Sequence, residues 1–432
     1  MSAGHDHQTP HPASRRVRRL LGITLIPYTL ATVVGLVLLW PTEHPRIRSG
    51  IGFDQQLVNG AVSRVEKTPC VKEETEQPSD ATAAGLGQLA TDCARLSVRL
   101  TAGPDAGKNI TLVASLAPGS PRFTDNDGVV LSYEPSAPAD LRYQIVDFQR
   151  GPPLALLALV FAVVVIVLGR WRGLAALAAL AISFVILAMF MLPAILAGSS
   201  PLLVAVVGSS AIMLVALYVT HGINAQTSIA VLGTLTSLLL IGVLGAVFLN
   251  LTHLTGLSSE ETSFIGSVYQ QVDVRGLLLA AMIIGSLGVL DDVTVTQTSA
   301  VWELKQANSS LGIRAIYRSA LRIGRDHISS TVNTLVLAYA GASLPLLLLF
   351  SVANRSLTDV ATREVVAVEI VRTLVGSIGL VASVPVTTAL AALVASLERP
   401  AKASVSAANS PPPDEDCRGK HRRRAKVKSL RQ

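Results

Sequence analysis

Two adjacent aspartates, Asp291 and Asp292, lie within an apolar run that is long enough to cross a membrane. The run begins at residue 277, so a spanning helix of about 20 residues extends past both carboxylates. Helical geometry places Asp292 and Thr296 on one face and Asp291 on a neighbouring face. Because a carboxylate inside a membrane is costly, such a pair is typical of a path for ions or protons. The alternative is that the helix leaves the membrane at Leu290 and that water solvates both aspartates.

A second polar run, residues 324–333 (GRDHISSTVN), opens the next apolar segment from the same side of the membrane. Arg325 and His327 are candidate partners for the two aspartates. Asn333 and Tyr339 lie deeper along the same predicted helix. These residues could extend a polar path into the membrane, or the run could equally be an ordinary interfacial cap with a structural hydrogen bond.

Two short runs elsewhere in the chain imitate ligand-binding loops. Residues 103–108 (GPDAGK) have three residues between the glycines, where a phosphate-binding loop needs four. Residues 125–128 (DNDG) pack their acids too closely for a calcium loop. We therefore predict a turn at both places. The sequence contains no nucleophile–base set and no zinc or haem motif, so we expect neither an enzyme nor a cofactor.

The composition is that of a membrane protein. Half of the 432 residues are hydrophobic, and 15% are charged, whereas soluble domains carry about 25% charged residues. Aromatic residues make up only 4%, which favours aliphatic transmembrane helices over a β-barrel with aromatic girdles. The net charge of +7 comes from basic residues beside the apolar runs, as in cytoplasmic loops. We therefore expect no nucleic-acid partner.

We predict an all-α multipass protein with about eight transmembrane helices in the plasma membrane. The first segment follows four arginines and is predicted to be an uncleaved signal anchor. The distribution of positive charge over the short loops predicts that both termini are cytoplasmic. The predicted spans are 20–40, 154–168, 174–197, 202–219, 229–249, 277–296, 332–352 and 374–395.

A long segment without a span, residues 41–152, separates the first predicted helix from the second. Residues 96–100 and 110–113 flank a turn rich in Gly and Pro, which predicts a β-hairpin. Further strands are predicted near 129–133 and 143–147. About five short strands in about 100 residues favour a small β-barrel of OB-like type outside the cytoplasm.

The remaining boundaries follow from charge and composition. The predicted regions are a basic cytoplasmic N-terminus (1–19), the anchor (20–40), the extracytoplasmic domain (41–152), a seven-helix membrane domain (153–397) and a disordered basic tail (398–432). We expect the basic ends to bind anionic lipids of the inner leaflet. Cys70 and Cys93 share the outer domain, where oxidation is permitted, so they could form a disulfide, although their spacing does not decide it.

Many residues of the two polar runs match a known family. They are 288–297 (GVLDDVTVTQ), 300–304 (AVWEL), 324–328 (GRDHI), Asn333, Tyr339 and 340–342 (AGA). With these residues, and with one anchor, an outer domain and seven further spans over residues 20–397, the chain resembles the YibE/F family of bacterial multipass membrane proteins. The resemblance implies placement in a membrane and points to these two runs, but it implies no substrate.

Our leading hypothesis is a transporter or permease of an unknown small solute or ion. Its polar path would be lined by Asp291, Asp292, Thr296, Asn333 and Tyr339, with Arg325 as the counter-ion. The alternative is a sensor or assembly factor that presents its outer β-domain to a partner and uses the membrane helices as a scaffold. In either case the lipid bilayer is the main partner.

Overall fold

The computed structural model describes residues 14–42, 55–70, 92–139, 141–352 and 356–397 of the protein. This part of the chain is mostly helical, with several long apolar helices and one small antiparallel sheet. The predictions for the first thirteen residues and for the tail after residue 397 lie outside the described residues.

Eleven helices are present in the described residues. They are α1 (Arg15–Leu38), α2 (Gly151–Ile186), α3 (Leu192–Leu196), α4 (Pro201–His221), α5 (Ala225–Leu251), α6 (Glu260–Val268), α7 (Val274–Ala307), α8 (Ile313–Ala342), α9 (Leu344–Val352), α10 (Leu357–Ala361) and α11 (Glu364–Leu397). A π-helical turn, Leu187–Met191, joins α2 to α3. Six helical segments are long and apolar enough to cross a membrane, or seven if the bent pair α8–α9 forms one span. The total of eight spans stays a prediction.

One of the six segments, Gly151–Leu196, has 46 residues and reverses direction within α2. The backbone of Arg170 leaves the helical region, with φ 51° and ψ −131°. Eight residues of straight helix are about 12 Å long, yet a Cβ on Gly173 would overlap the carbonyl oxygen of Val165. The chain therefore folds back on itself at Arg170, between the predicted spans 154–168 and 174–197.

The predicted span 332–352 falls on two helices that meet at a bend. Helix α8 already begins at Ile313, and the helix axis turns by 60° between α8 and α9. Pro345 is the second residue of α9. Because proline lacks an N–H and disfavours a helical conformation in the residue before it, the bend falls just ahead of this position.

Helices α5, α7 and α11 pack against one another and form the centre of the bundle. Helix α8 packs on α7 and α11, and α4 joins α7 to α2. Helix α1 packs on α4 and α5, and its Tyr28 hydroxyl donates a hydrogen bond to Ser210 Oγ. Small residues occupy the closest contacts, such as Gly379 against Ile241. They let helix backbones approach closely, which drives helix association in lipid.

The strands form one antiparallel sheet with the order β3-β2-β1-β4-β5. Their bounds are β1 Gln56–Pro69, β2 Asp92–Leu100, β3 Asn109–Ser115, β4 Gly128–Tyr133 and β5 Tyr143–Phe148. The first half of β1 pairs with β4 and its second half with β2, and a register shift between Val62 and Arg64 bends the strand. Leu96 and Leu131 fill the concave side. The predicted hairpin is confirmed as β2–β3, and the strands predicted near 129–133 and 143–147 are β4 and β5.

The curled sheet is a half-barrel. Closure into an OB-like barrel would require pairing between β3 and β5, the two ends of the strand order, because a barrel has no free edge. The described residues contain no such pairing. The closed barrel is therefore not confirmed.

A disulfide joins Cys70 to Cys93 beside the base of the β1–β2 pair. Thr68 pairs with Cys93 and Pro69 with Asp92 at this end of the ladder. The two cysteine Cα atoms are 5.0 Å apart, within the range that a disulfide can bridge. Strand pairing thus brings together two cysteines that are 23 positions apart in sequence.

Candidate functional site

Polar side chains are buried where α5, α7 and α11 meet, although these helices are otherwise aliphatic. The buried polar residues of this region are Thr234, Ser237, Ser286, Thr294, Gln297, Thr298, Ser377, Ser383, Thr387 and Thr388. A polar group removed from water is costly unless it is hydrogen-bonded. The partners of these side chains therefore determine what the region can do.

Two hydrogen bonds between side chains tie the three helices together. The hydroxyls of Thr234 on α5 and Thr294 on α7 are 2.8 Å apart. The hydroxyl of Thr388 on α11 donates to Gln297 Oε1 on α7 at 2.8 Å. All four side chains are almost completely buried. We call these four residues, Thr234, Thr294, Gln297 and Thr388, the polar seam. Helix α7 contributes two of them, which are about one helical turn apart.

The adjacent aspartates lie one turn from this seam, and their surroundings differ. The Thr294 hydroxyl donates to the backbone carbonyl of Asp291 at 3.1 Å. Asp291 is partly buried, and its Oδ1 is buried without a hydrogen-bond partner among the described residues. Asp292 is exposed. Asp291 therefore presents an unused acceptor beside the polar seam, whereas Asp292 does not.

Helix α7 continues without a break to Ala307. Both aspartates therefore lie within a continuous helix, and the depth at which this helix leaves the membrane stays a prediction. Thr296, predicted to share the Asp292 face, is partly buried. One turn further on, Gln226 Nε2 at the start of α5 donates to Ser299 Oγ at 2.6 Å. Polar contacts between α5 and α7 thus continue toward the predicted cytoplasmic end.

The predicted counter-ion does not reach the aspartates. Arg325, His327 and Asn333 are all exposed on α8, and the ion pairs among the described residues include none between Arg325 and either aspartate. Gly324 faces inward instead, where an added Cβ would lie 2.7 Å from Gln297 Nε2. Arg325 follows Gly324 and points about 100° away around the helix, so the structure does not pair it with either aspartate, and its role as counter-ion stays a prediction.

Tyr339 lies between α7 and a cavity of about 270 Å³ at the α8–α9 elbow. Its hydroxyl is 2.9 Å from the position that a Cβ on Gly285 would occupy, so the ring reaches α7. Glu369 and Thr373 of α11 line the same cavity. Glu369 pairs with Arg372 at 3.0 Å, and both side chains are partly buried. The cavity is mostly apolar and stands apart from the polar seam.

Thr294 and Gln297 of the seam lie in the aspartate run, whereas Thr234 and Thr388 lie outside the motifs described above. Gln297 closes the aspartate run, and Thr388 follows Pro385 in α11. A signal was present, since an amide and a hydroxyl interrupt two apolar runs at positions that must be satisfied inside the membrane. Their pairing depends on how α7 and α11 are rotated about their axes, which neither run specifies.

The two runs that resemble ligand-binding loops, residues 103–108 and 125–128, form turns, as predicted. Asp105 accepts hydrogen bonds from Lys108 Nζ at 2.6 Å and from the Tyr143 hydroxyl at 2.8 Å. These bonds lower the pKa of Asp105. Burial, followed by the bond to Asp105, raises the pKa of Tyr143 to about 12. In the second loop, Asp125 Oδ1 accepts from the Val65 amide at 2.9 Å. The carboxylates of Asp105 and Asp125 thus stabilise the half-barrel through hydrogen bonds within it.

Comparison with known proteins supplies the family. The family model for YibE/F-like proteins matches residues 157–397, which are more than half of the chain and include the polar seam. The chain belongs to the YibE/F-like family. No curated protein and no solved structure matches it. Together with the long apolar helices, membership in this family indicates a multipass membrane protein. The predicted resemblance is confirmed, and the match begins after the half-barrel.

Proposed function

We propose that this YibE/F-like protein is a transporter or permease that moves a small solute or ion along the seam between α5, α7 and α11. The observation that carries the proposal is the unpartnered, buried Oδ1 of Asp291 beside two pairs of buried hydroxyl and amide groups. Polar and ionisable groups inside a membrane are expensive, and they commonly mark the routes of ions or substrates. The protein would move its solute without transforming it.

The proposed setting is the bacterial plasma membrane, crossed eight times, with both termini in the cytoplasm and the half-barrel outside. The reversal at Arg170 supports counting Gly151–Leu196 as two spans. The Cys70–Cys93 disulfide supports an oxidising compartment for the half-barrel. The arginines exposed along α8 support a cytoplasmic position for its start. The basic ends would bind anionic lipids.

The two adjacent aspartates provide a matched pair of variants that tests the transport proposal. We expect Asp291→Asn to reduce flux at least 10-fold and Asp292→Asn to change it less than twofold, because only Asp291 has a buried, unused acceptor. The full-length protein would be reconstituted in vesicles and screened with metal cations, protons and small organic solutes. The solutes that the wild type carries would then be measured with both variants.

The flux of the two variants decides whether the solute passes along the polar seam beside Asp291. Thermal unfolding of both variants in detergent would show whether the fold is retained. Flux by Asp291→Asn equal to that of the wild type, for every solute carried, would refute a path beside Asp291. Equal losses in both variants would contradict the distinct role that we assign to Asp291.

The proposed topology predicts which positions an impermeant thiol reagent reaches. In a Cys417→Ser background that keeps the disulfide, Ser258→Cys should react from outside intact cells. Ser309→Cys, in the loop between α7 and α8, should react only after the membrane is opened. Both positions lie in short connections between helices. The opposite pattern at either position would mean that the number of spans before it is wrong.

A further inference from the structure

The outward face of α8 carries a polar stripe, which we define as Arg325, Asp326, Ser329 and Asn333. Arg325, Ser329 and Asn333 follow one another at intervals of four residues, and Asp326 precedes Ser329 by three, which places the set on one side of the helix. All four are exposed. Within the described part of the chain, the Asn333 amide has no hydrogen-bond partner and Arg325 and Asp326 form no ion pair. The stripe is therefore unpartnered among the described residues of a single copy.

Contacts between helices show how deep this stripe lies. Gly379 on α11 meets Ile241 on α5, and both residues are near the middle of their helices. One turn away, Gly376 lies against Leu335 of α8. Asn333 is two residues from Leu335, which is about 3 Å along the axis. It therefore lies well inside the hydrocarbon core of about 30 Å.

The two charged residues lie closer to the membrane surface. Arg325 is ten residues from Leu335, which corresponds to about 15 Å along the helix and thus to the edge of the hydrocarbon. Ser329 falls between this edge and Asn333. The stripe accordingly runs from the predicted cytoplasmic interface toward the middle of the bilayer, with its charges at the interface and its amide at the deepest point.

Other helices expose a different kind of surface at this depth. Helix α5 exposes Leu239 and Val243, and α11 exposes Ile378 and Val381. These aliphatic side chains suit contact with lipid tails. An amide on the same outer surface does not, because the hydrocarbon offers it no hydrogen bond. The outward face of α8 therefore requires a partner that can form hydrogen bonds, which lipid tails cannot do.

We propose that a second copy of the chain covers this face, so that the protein is a two-fold symmetric dimer joined through α8. Copies that insert with the same orientation are related by an axis along the membrane normal, so each residue meets its counterpart at the same depth. The stripe is complementary to itself. Asn333 has both donors and acceptors for the other Asn333, and Arg325 of each copy can pair with Asp326 of the other.

This inference rests on the exposed face of α8 and does not depend on solute transport. Hydrogen bonds between polar side chains are a recognised means by which membrane helices associate. The paired stripes would bury four charges at the interface and the amides within the membrane. A dimer also leaves the polar seam of each copy intact, since Gly324 and Leu335 of α8 face inward.

Disulfide cross-linking in native membranes tests the contact. In full-length Cys417→Ser protein that keeps its Cys70–Cys93 disulfide, Ser329→Cys and Asn333→Cys should form covalent dimers on mild oxidation with iodine. Leu239→Cys and Ile378→Cys are matched controls, because they are exposed on other helices at similar depth. We expect at least five times more dimer from the stripe positions. Equal yields from stripe and control positions would overturn the proposal.

Two further experiments test the dimer: counting the copies in the wild-type complex, and exchanging the charges of Arg325 and Asp326. Fluorescently labelled wild-type protein, diluted in lipid bilayers, should bleach in two steps, and bleaching in one step would overturn the proposal. Asp326→Arg should weaken association at least 10-fold by placing like charges together. The double variant Arg325→Asp/Asp326→Arg should restore it. Failure of the exchange to restore association would refute the reciprocal ion pairs.

Discussion

Replacing Cys70 and Cys93 together by Ser should lower the free energy of unfolding of the half-barrel by about 3 kcal/mol, the loop-entropy value for a disulfide of this span. The two cysteines are 23 positions apart, so the bond restricts a long loop in the unfolded chain. The half-barrel needs this constraint because it is small and five-stranded. The measurement is the urea midpoint of proteolytic cleavage within residues 92–148 of the full-length protein.

Two controls isolate the disulfide in this experiment. The Cys417→Ser variant lacks only the third cysteine and should have the wild-type midpoint. A reductant should lower the midpoint of the wild type and leave that of the double variant unchanged. Identical midpoints for the wild type and the double variant would show that β-sheet packing alone supports the half-barrel.

Gly379→Ala should destabilise the helix bundle by about 1–2 kcal/mol, because the overpacking penalty exceeds the gain in helix propensity. The added methyl would overlap the end of the Ile241 side chain, and Ile241 is completely buried. This contact lies in the middle of α5 and α11, where neither helix can move without disturbing α7. Unfolding in mixed detergent micelles provides the measurement.

A double-mutant cycle and a matched glycine test this packing argument. Ile241→Ala alone should destabilise by about 2–5 kcal/mol through the cavity that it leaves. In the Gly379→Ala background it should cost about 1–3 kcal/mol less, since the two residues are in contact. Gly288→Ala on α7 meets nothing within 4 Å and should be neutral or slightly stabilising. Additive effects at positions 241 and 379 would contradict the close approach.

The two aspartates show how far sequence patterns reached into the candidate site. Their position in an apolar run predicted a helix that extends past both carboxylates, and α7 does continue past them. The pattern treated Asp291 and Asp292 as a pair. The structure separates them, because residues that are 100° apart on a helix face different neighbours. Which face meets α5 and α11 is a matter of packing between distant segments.

Arg325 illustrates the opposite outcome. Its charge and its place at the start of an apolar run made it a reasonable partner for the aspartates. Helix α8, however, turns Gly324 toward Gln297 and leaves Arg325 outside. The small residue determines the contact, since only a residue without a side chain permits the close approach of the two helices. Spacing along one helix does not reveal which of its faces the next helix will cover.

The sequence by itself determined the apolar segments, the strands of the outer sheet and the family, because these depend on local composition, on local periodicity and on short motifs. Tertiary structure alone decided the pairing of Gln297 with Thr388 and of Thr234 with Thr294. It also decided the reversal at Arg170 and the order of the strands in the half-barrel, whose described residues contain no β3–β5 pairing. The physical reason is that hydropathy specifies which segments leave water, whereas their rotation and approach are set by steric contacts between residues far apart in the chain.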